Sequence, residues 1–187
     1  MFIRIKKRKF FIVALLAGIL YLLYAIFPDI LKYVYPVKYE DIIEKYAAEY
    51  NLDLYLIAAI IKVESNYNVT AKSNKGAIGL MQIKPSTGEW IGNQLGIKDF
   101  EEEMLYDPEI NIKMGCWYIN YLIKYYNDNK HLALAAYNGG QGNVNKWLKD
   151  EKFSDDGITL KNIPFEETRR YIQKVNKVYN IYKKVYR

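Results

Sequence analysis

Histidine and cysteine are nearly absent from this chain of 187 residues, which has one of each, His131 and Cys116. One cysteine excludes an internal disulfide framework, and a lone His/Cys pair cannot assemble a Cys/His metal cluster. A Ser-His-Asp or Cys-His site would have to run through His131. That residue lies in the run HLALAAYN and reads as a surface or helix-end histidine, while Cys116 reads as a small core residue. Neither a metal nor a cofactor is expected. No acid follows Glu167, and none lies between Glu64 and Glu89 or before Asp29. The net charge of +6 is therefore a property of the ends. Five of the 27 basic residues fall in the first nine positions and seven follow Glu167, so residues 10–168 hold fifteen against all 21 acids. A body with a net charge of −6 lacks the basic stripe of a nucleic-acid domain. Internal repeats and low-complexity segments are also lacking, and the 51% hydrophobic content suits one globular domain with appendages.

The amino terminus carries the most one-sided stretch. After the basic residues 1–9, MFIRIKKRK, residues 10–27 form a charge-free apolar run of eighteen residues, FFIVALLAGILYLLYAIF. As a helix it would cover about 27 Å, close to the hydrocarbon thickness of a bilayer. The cationic flank predicts a cytoplasmic start and an extracytoplasmic body. The run ends in Ala-Ile-Phe-Pro-Asp, a poor cleavage site, which favours an uncleaved single-pass anchor in the cell membrane over a signal peptide. Residues 28–37, with Pro28 and Pro36, read as a linker, and residues 38–187 as the exported domain.

That domain reads as all-α. Ile42, Ile43, Tyr46, Ala47 and Tyr50 recur at helical spacing, and Asn51 ends that helix. Asp53 is placed to cap a second helix, on which Leu54, Ile57, Ala58, Ile61 and then Glu64 or Ser65 share a stripe. Pro85 opens a short helix, and Asp107-Pro108 starts a long one to about Tyr126, burying Ile112, Cys116, Ile119 and Ile123. Shorter helices are expected over 131–137 and 143–148. Residues 150–163 read as a loop with room for a two-strand excursion. Pro164 is expected to start a last amphipathic helix carrying Tyr171, Val175, Val178, Tyr182 and Val185.

The stretch 57–82, IAAIIKVESNYNVTAKSNKGAIGLMQ, organises the rest. Glu64 ends an apolar helix, with no carboxylate neighbour in sequence, and a polar loop and a glycine-rich turn follow. A carboxyl at the end of an apolar face is partly desolvated, which raises its pKa and suits it to donate a proton near neutrality.

Four segments, ES at 64–65, GAIGLMQI at 76–83, AAYNGG at 135–140 and IPFEETRRY at 163–171, resemble in order and spacing the signatures of the transglycosylase SLT domain. These are lytic murein transglycosylases of the lysozyme-like superfamily, related to goose-type lysozyme. The resemblance spans about residues 40–185 and implies a mainly α, lysozyme-like fold acting on peptidoglycan glycan strands. It implies that Glu64 is the catalytic acid and that Ser73, Met81, Gln82, Tyr137, Asn138 and Glu167 serve the substrate, with Glu167 in a supporting role. Gly139-Gly140 departs from the more common Asn-Ala-Gly after the tyrosine, and no extra binding module is apparent. The implied reaction cuts between N-acetylmuramic acid and N-acetylglucosamine and leaves a 1,6-anhydromuramyl end. A hydrolytic muramidase on the same fold, and a non-catalytic glycan-binding member of an envelope protein complex, are the alternatives.

Overall fold

The computed structural model describes residues 2–186, with side chains from residue 10 onward. It divides into a first unit, made of the N-terminal segment up to Pro36 and the chain end from Lys184, and a compact body, Val37–Lys183. In the first unit α1 spans Phe2–Val34. Its segment Phe10–Val34 is the one helix among the described residues long and apolar enough to cross a membrane. The side chains from Phe10 to Phe27 are exposed along their length, Tyr24 to 79%. The expected linker at 28–37 is largely helical instead. Proline removes only its own N–H and crowds one preceding carbonyl, and here α1 continues through Pro28 into Ile30, Leu31 and Val34.

The body is built from α2 (Glu40–Glu49), α3 (Leu54–Glu64), α4 (Pro85–Leu95), α5 (Pro108–Tyr125), α6 (Lys130–Gly139), α7 (Gln141–Leu148) and α8 (Glu166–Tyr186). A 3₁₀ turn, Glu102–Tyr106, precedes α5. Asp53 caps α3 by accepting from the Tyr55 N–H at 2.9 Å, and Asp107 caps α5 by accepting from the Ile110 N–H at 2.8 Å. Each satisfies an orphan donor of a helix start. α3 is buried around its whole circumference from Leu56 to Ile61, rather than along one stripe. A helix segment apolar on all sides is stable only when enclosed.

Residues 150–163 contain no strand; the chain there makes turns around Asp156, which accepts from the N–H groups of Ile158 and Thr159. Such an Asx turn satisfies the backbone locally, and a single cross-loop bond, from the Lys161 N–H to the Phe153 carbonyl at 2.9 Å, closes the loop without forming a ladder. Extended pairing occurs in the glycine-rich segment after α3, as isolated antiparallel bridges Lys72–Ile78 and Ile78–Ile83.

Candidate active site

Glu64 is the last residue of α3, and the carboxyl-terminal end of that helix is pinned to the loop that follows. Ser65, the C-cap, donates to the Leu80 carbonyl at 2.8 Å. The loop closes on itself: Ile78 and Ile83 exchange N–H···O bonds of 2.9 and 3.0 Å, and the Gly79 N–H donates to the Ala71 carbonyl at 2.9 Å. Beneath it, the wholly buried Asn111 of α5 accepts from the Met81 N–H at 2.7 Å and donates to the carbonyls of Ile78 and Leu105 at 3.1 and 2.7 Å. One amide thus bonds three buried backbone groups, of which the Ile78 carbonyl also accepts from the Ile83 N–H.

Gly79 is required twice over. Its φ is +77°, and a Cβ there would stand 2.2 Å from the Leu105 carbonyl oxygen and 2.3 Å from Asn111 Nδ2. Gln82 adopts φ 50° without being glycine, and its Nε2 donates to the carbonyls of Ala71 and Gly79 at 3.2 and 3.0 Å. Those bonds hold an uncommon backbone conformation in place.

A cleft of about 470 Å³ opens beside this loop, lined by Glu64, Ser73, Gln82, Tyr118, Tyr137, Asn138, Glu167 and Thr168 among others. Six of the seven side chains singled out from sequence therefore meet in one place. Met81 does not join them: its side chain is fully buried and fills the space over Gly115, where a Cβ would come within 2.2 Å of its sulfur. Only its carbonyl serves the cleft, by accepting from the Tyr137 hydroxyl at 2.7 Å. The alternation of the tight turn sends Met81 inward and Gln82 outward, which adjacency in sequence does not reveal. Ser73 accepts from the Ala77 N–H at 3.0 Å and so braces the loop. Asn138 accepts from Thr168 Oγ1 at 2.8 Å, joining the end of α6 to the start of α8. Glu167 is exposed and pairs with Lys75 at 2.7 Å.

Burial pushes the Glu64 carboxyl up to about 7; the negative charge of Glu167 adds to this and the Tyr171 hydroxyl opposes it. Tyr171 is buried, and its hydroxyl meets no hydrogen-bond partner at bonding geometry, so it acts on Glu64 across a gap. Tyr137 is likewise held well above the usual phenol range by burial and by Glu64, and stays a neutral donor. The site therefore holds one buried carboxyl able to exchange a proton near neutrality, beside hydroxyls and amides and the exposed charges of Glu167 and Lys75. A larger cavity of about 520 Å³, lined by Glu49, Tyr50, Asp53 and Lys124 among others, lies elsewhere. Its Asp53 is engaged as the α3 cap and by the Tyr179 hydroxyl.

Sequence reasoning missed Asn111, Tyr118 and Thr168 as parts of this site. Asn111 had a signal, a polar residue on the otherwise apolar buried face of α5; Tyr118 had none, since nothing local separates a cleft tyrosine from a core one.

Comparison with known proteins bears on the same region. The family described as "Transglycosylase SLT domain" matches residues 41–159. The soluble lytic murein transglycosylase of Salmonella typhimurium is 35% identical over 149 residues, 79% of this chain and 23% of that protein. Membrane-bound lytic murein transglycosylase C of Yersinia pestis is 31% identical over 169 residues, 79% of this chain and 47% of that one. An inactive mutant of the lytic transglycosylase Slt from Pseudomonas aeruginosa superposes with a TM-score of 0.72 at 33% identity, covering 83% of this chain and 26% of that chain. The 70-kDa soluble lytic transglycosylase of Escherichia coli gives 0.72 at 31%, covering 82% and 25%. The chain thus spans about a quarter of the length of the soluble relatives it matches. Its match over most of the helical body, in sequence and in fold, means that the chain belongs to the transglycosylase SLT domain family.

Proposed function

We propose that this protein is a membrane-anchored peptidoglycan lytic transglycosylase that uses Glu64 first as acid and then as base. The observation that carries this reading is the single buried carboxyl in the cleft, held at about 7. Protonated Glu64 donates to the oxygen leaving N-acetylmuramic acid. The substrate's N-acetyl group steadies the developing positive carbon. Ionised Glu64 then removes the proton of the 6-hydroxyl, which closes onto carbon 1 as the anhydro ring. One group serves both steps only if its pKa lies near the working pH. Ser73, Gln82, Tyr137 and Asn138 line the sugar's path, and Met81 acts through its carbonyl by fixing Tyr137. In this reading the apolar part of α1 is the membrane anchor, and the basic residues 1–9 beside it support a cytoplasmic start with an extracytoplasmic body. Service within an envelope protein complex is compatible with this arrangement.

Glu167 favours a second reading. It lines the same cleft, and a hydrolytic muramidase of the common two-carboxylate kind needs its second acid roughly 5–9.5 Å from the first. Its pairing with Lys75 and its exposure fit a supporting charge better than a base that activates water. Mass spectrometry of peptidoglycan digested by the wild type and by Glu64→Gln separates the readings. Anhydromuramyl ends are expected from the wild type and none from the variant. Reducing ends would establish hydrolysis, and cleavage persisting in the variant would overturn the role of Glu64.

A further inference from the structure

A row of aromatic rings leaves the cleft and continues along the outside of α5, and the chemistry at Glu64 uses only its inner end. Tyr137 and Tyr118 both line the cleft, their ring centroids 5.5 Å apart. Tyr118 is followed by Tyr121 at 6.3 Å, nearly parallel at 12°, and Tyr121 by Tyr125 at 6.1 Å. Trp117 lies flat against Tyr121, at 5.6 Å and 7°. Trp90, from α4, stands edge-on to Trp117, Tyr118 and Tyr121 at 5.3, 6.0 and 5.2 Å. Positions 117, 121 and 125 share a helix face because they are four apart. Trp90 sits one turn beyond Thr87, itself a lining residue of the cleft.

Core packing does not account for the outer rings. Beyond Val34, Trp90 (38% exposed), Tyr125 (47%), Ile158 and Phe165 are the exposed large hydrophobic residues among those described. Phe165 lines the cleft, so three of the four lie in the cleft or on this row. The outer end is decorated with polar atoms: Asn145 donates to the Tyr125 hydroxyl at 2.9 Å and accepts from the Tyr126 hydroxyl at 2.9 Å. Flat rings with a hydroxyl and amide border suit a ligand that is itself both C–H-rich on its faces and hydroxylated at its rim.

We infer that Trp90, Trp117, Tyr121 and Tyr125 form a second glycan-binding surface, a stacking platform for sugars of a strand whose reacting bond lies in the cleft. The electron-rich face of an aromatic ring attracts the C–H groups on the face of a pyranose. Such contacts accept any sugar in the strand, so the platform supplies hold on long strands and leaves bond choice to the cleft. This inference rests on the reading of the cleft as a glycan site, and binding measurements separate the two. The full chain carrying Glu64→Gln, in detergent micelles, is titrated with a muramyl tetrasaccharide and with long uncross-linked glycan strands.

Long strands are expected to bind more tightly than the tetrasaccharide. Adding Trp90→Leu, which keeps apolar bulk but removes the ring, is expected to weaken long-strand binding roughly tenfold, with a much smaller loss for the tetrasaccharide. Trp90→Phe is expected to restore most of the loss, and Tyr125→Leu to show the same pattern more weakly. Thermal melts check that each variant folds, and the exposed Tyr125 carries the comparison if Trp90→Leu does not. Equal long-strand affinity with and without the rings overturns the platform alone, whereas absence of any glycan binding overturns the cleft reading with it. A change in oligomeric mass or in micelle association, with glycan affinity intact, assigns the row to a protein or lipid partner and also overturns the inference.

Discussion

Glu64 and Glu167 line one cleft but live under opposite physical conditions. Glu64 ends a helix whose middle, Leu56 to Ile61, is wholly buried, and the loop beside it is held by bonds within itself and to Asn111. Glu167 sits in the first turn of α8, where the helix dipole favours a negative charge, and shares an open ion pair with Lys75. Burial turns the first carboxyl into a group that titrates near neutrality, and exposure leaves the second as a solvated charge. The position of a carboxyl in the fold, more than its chemistry, separates a proton carrier from an electrostatic neighbour.

The sharpest way to break this contrast is to substitute each acid by its amide. Glu64→Gln is expected to lower release of anhydromuramyl products by about 10³-fold or more, with the circular dichroism of the fold unchanged. Glu167→Gln should cost far less and should move the high-pH limb of the rate profile to lower pH, because its charge raises the pKa of Glu64. A loss at Glu167 as large as that at Glu64 would erase the distinction drawn here and favour the two-carboxylate reading.

Stability should show the cost of the buried acid. Between pH 4.5, the ordinary value, and about 7, the folded chain holds a proton on Glu64 that the unfolded chain has lost. Stability from this group is therefore complete below the lower limit and declines as pH rises through the window, by up to roughly 3 kcal/mol. Glu64→Gln should match the wild type in acid and be the more stable protein above pH 7, in denaturant titrations at both pH values. Asn111→Ala should destabilise by roughly 3 kcal/mol, since the Met81 N–H and the Leu105 carbonyl lose their partner and the Ile78 carbonyl loses one of two, read as a lowered melting temperature.

Smaller effects test the neighbours of Glu64. Tyr171→Phe removes a hydroxyl that holds the Glu64 pKa down, so the high-pH limb of the rate profile should move upward. Lys75→Ala should change stability by about 1 kcal/mol or less, since both members of its ion pair are 68% exposed.

Much of this was legible in the chain. Asp53 and Asp107 announced their helices because a cap is a local event between a side chain and the next few N–H groups. The buried positions Ile112, Cys116, Ile119 and Ile123 followed from period alone. The helix through Pro28 did not, because a proline raises the cost of a helix without forbidding it. Nor did the inward turn of Met81, since two neighbours in a tight turn are sorted by backbone angles that the residue names do not state.

Read alone, the amino-acid order determined an apolar leader, an all-helical body and one acid without a local partner, because periodicity, capping and charge act over a few residues. Tertiary structure alone decided that Glu64 lies beside Tyr137, Tyr171 and Glu167, residues 73, 107 and 103 positions away, and that Asn111 locks the loop between them. Desolvation and shared hydrogen bonds depend on what surrounds a group in space, and only the folded chain supplies those surroundings.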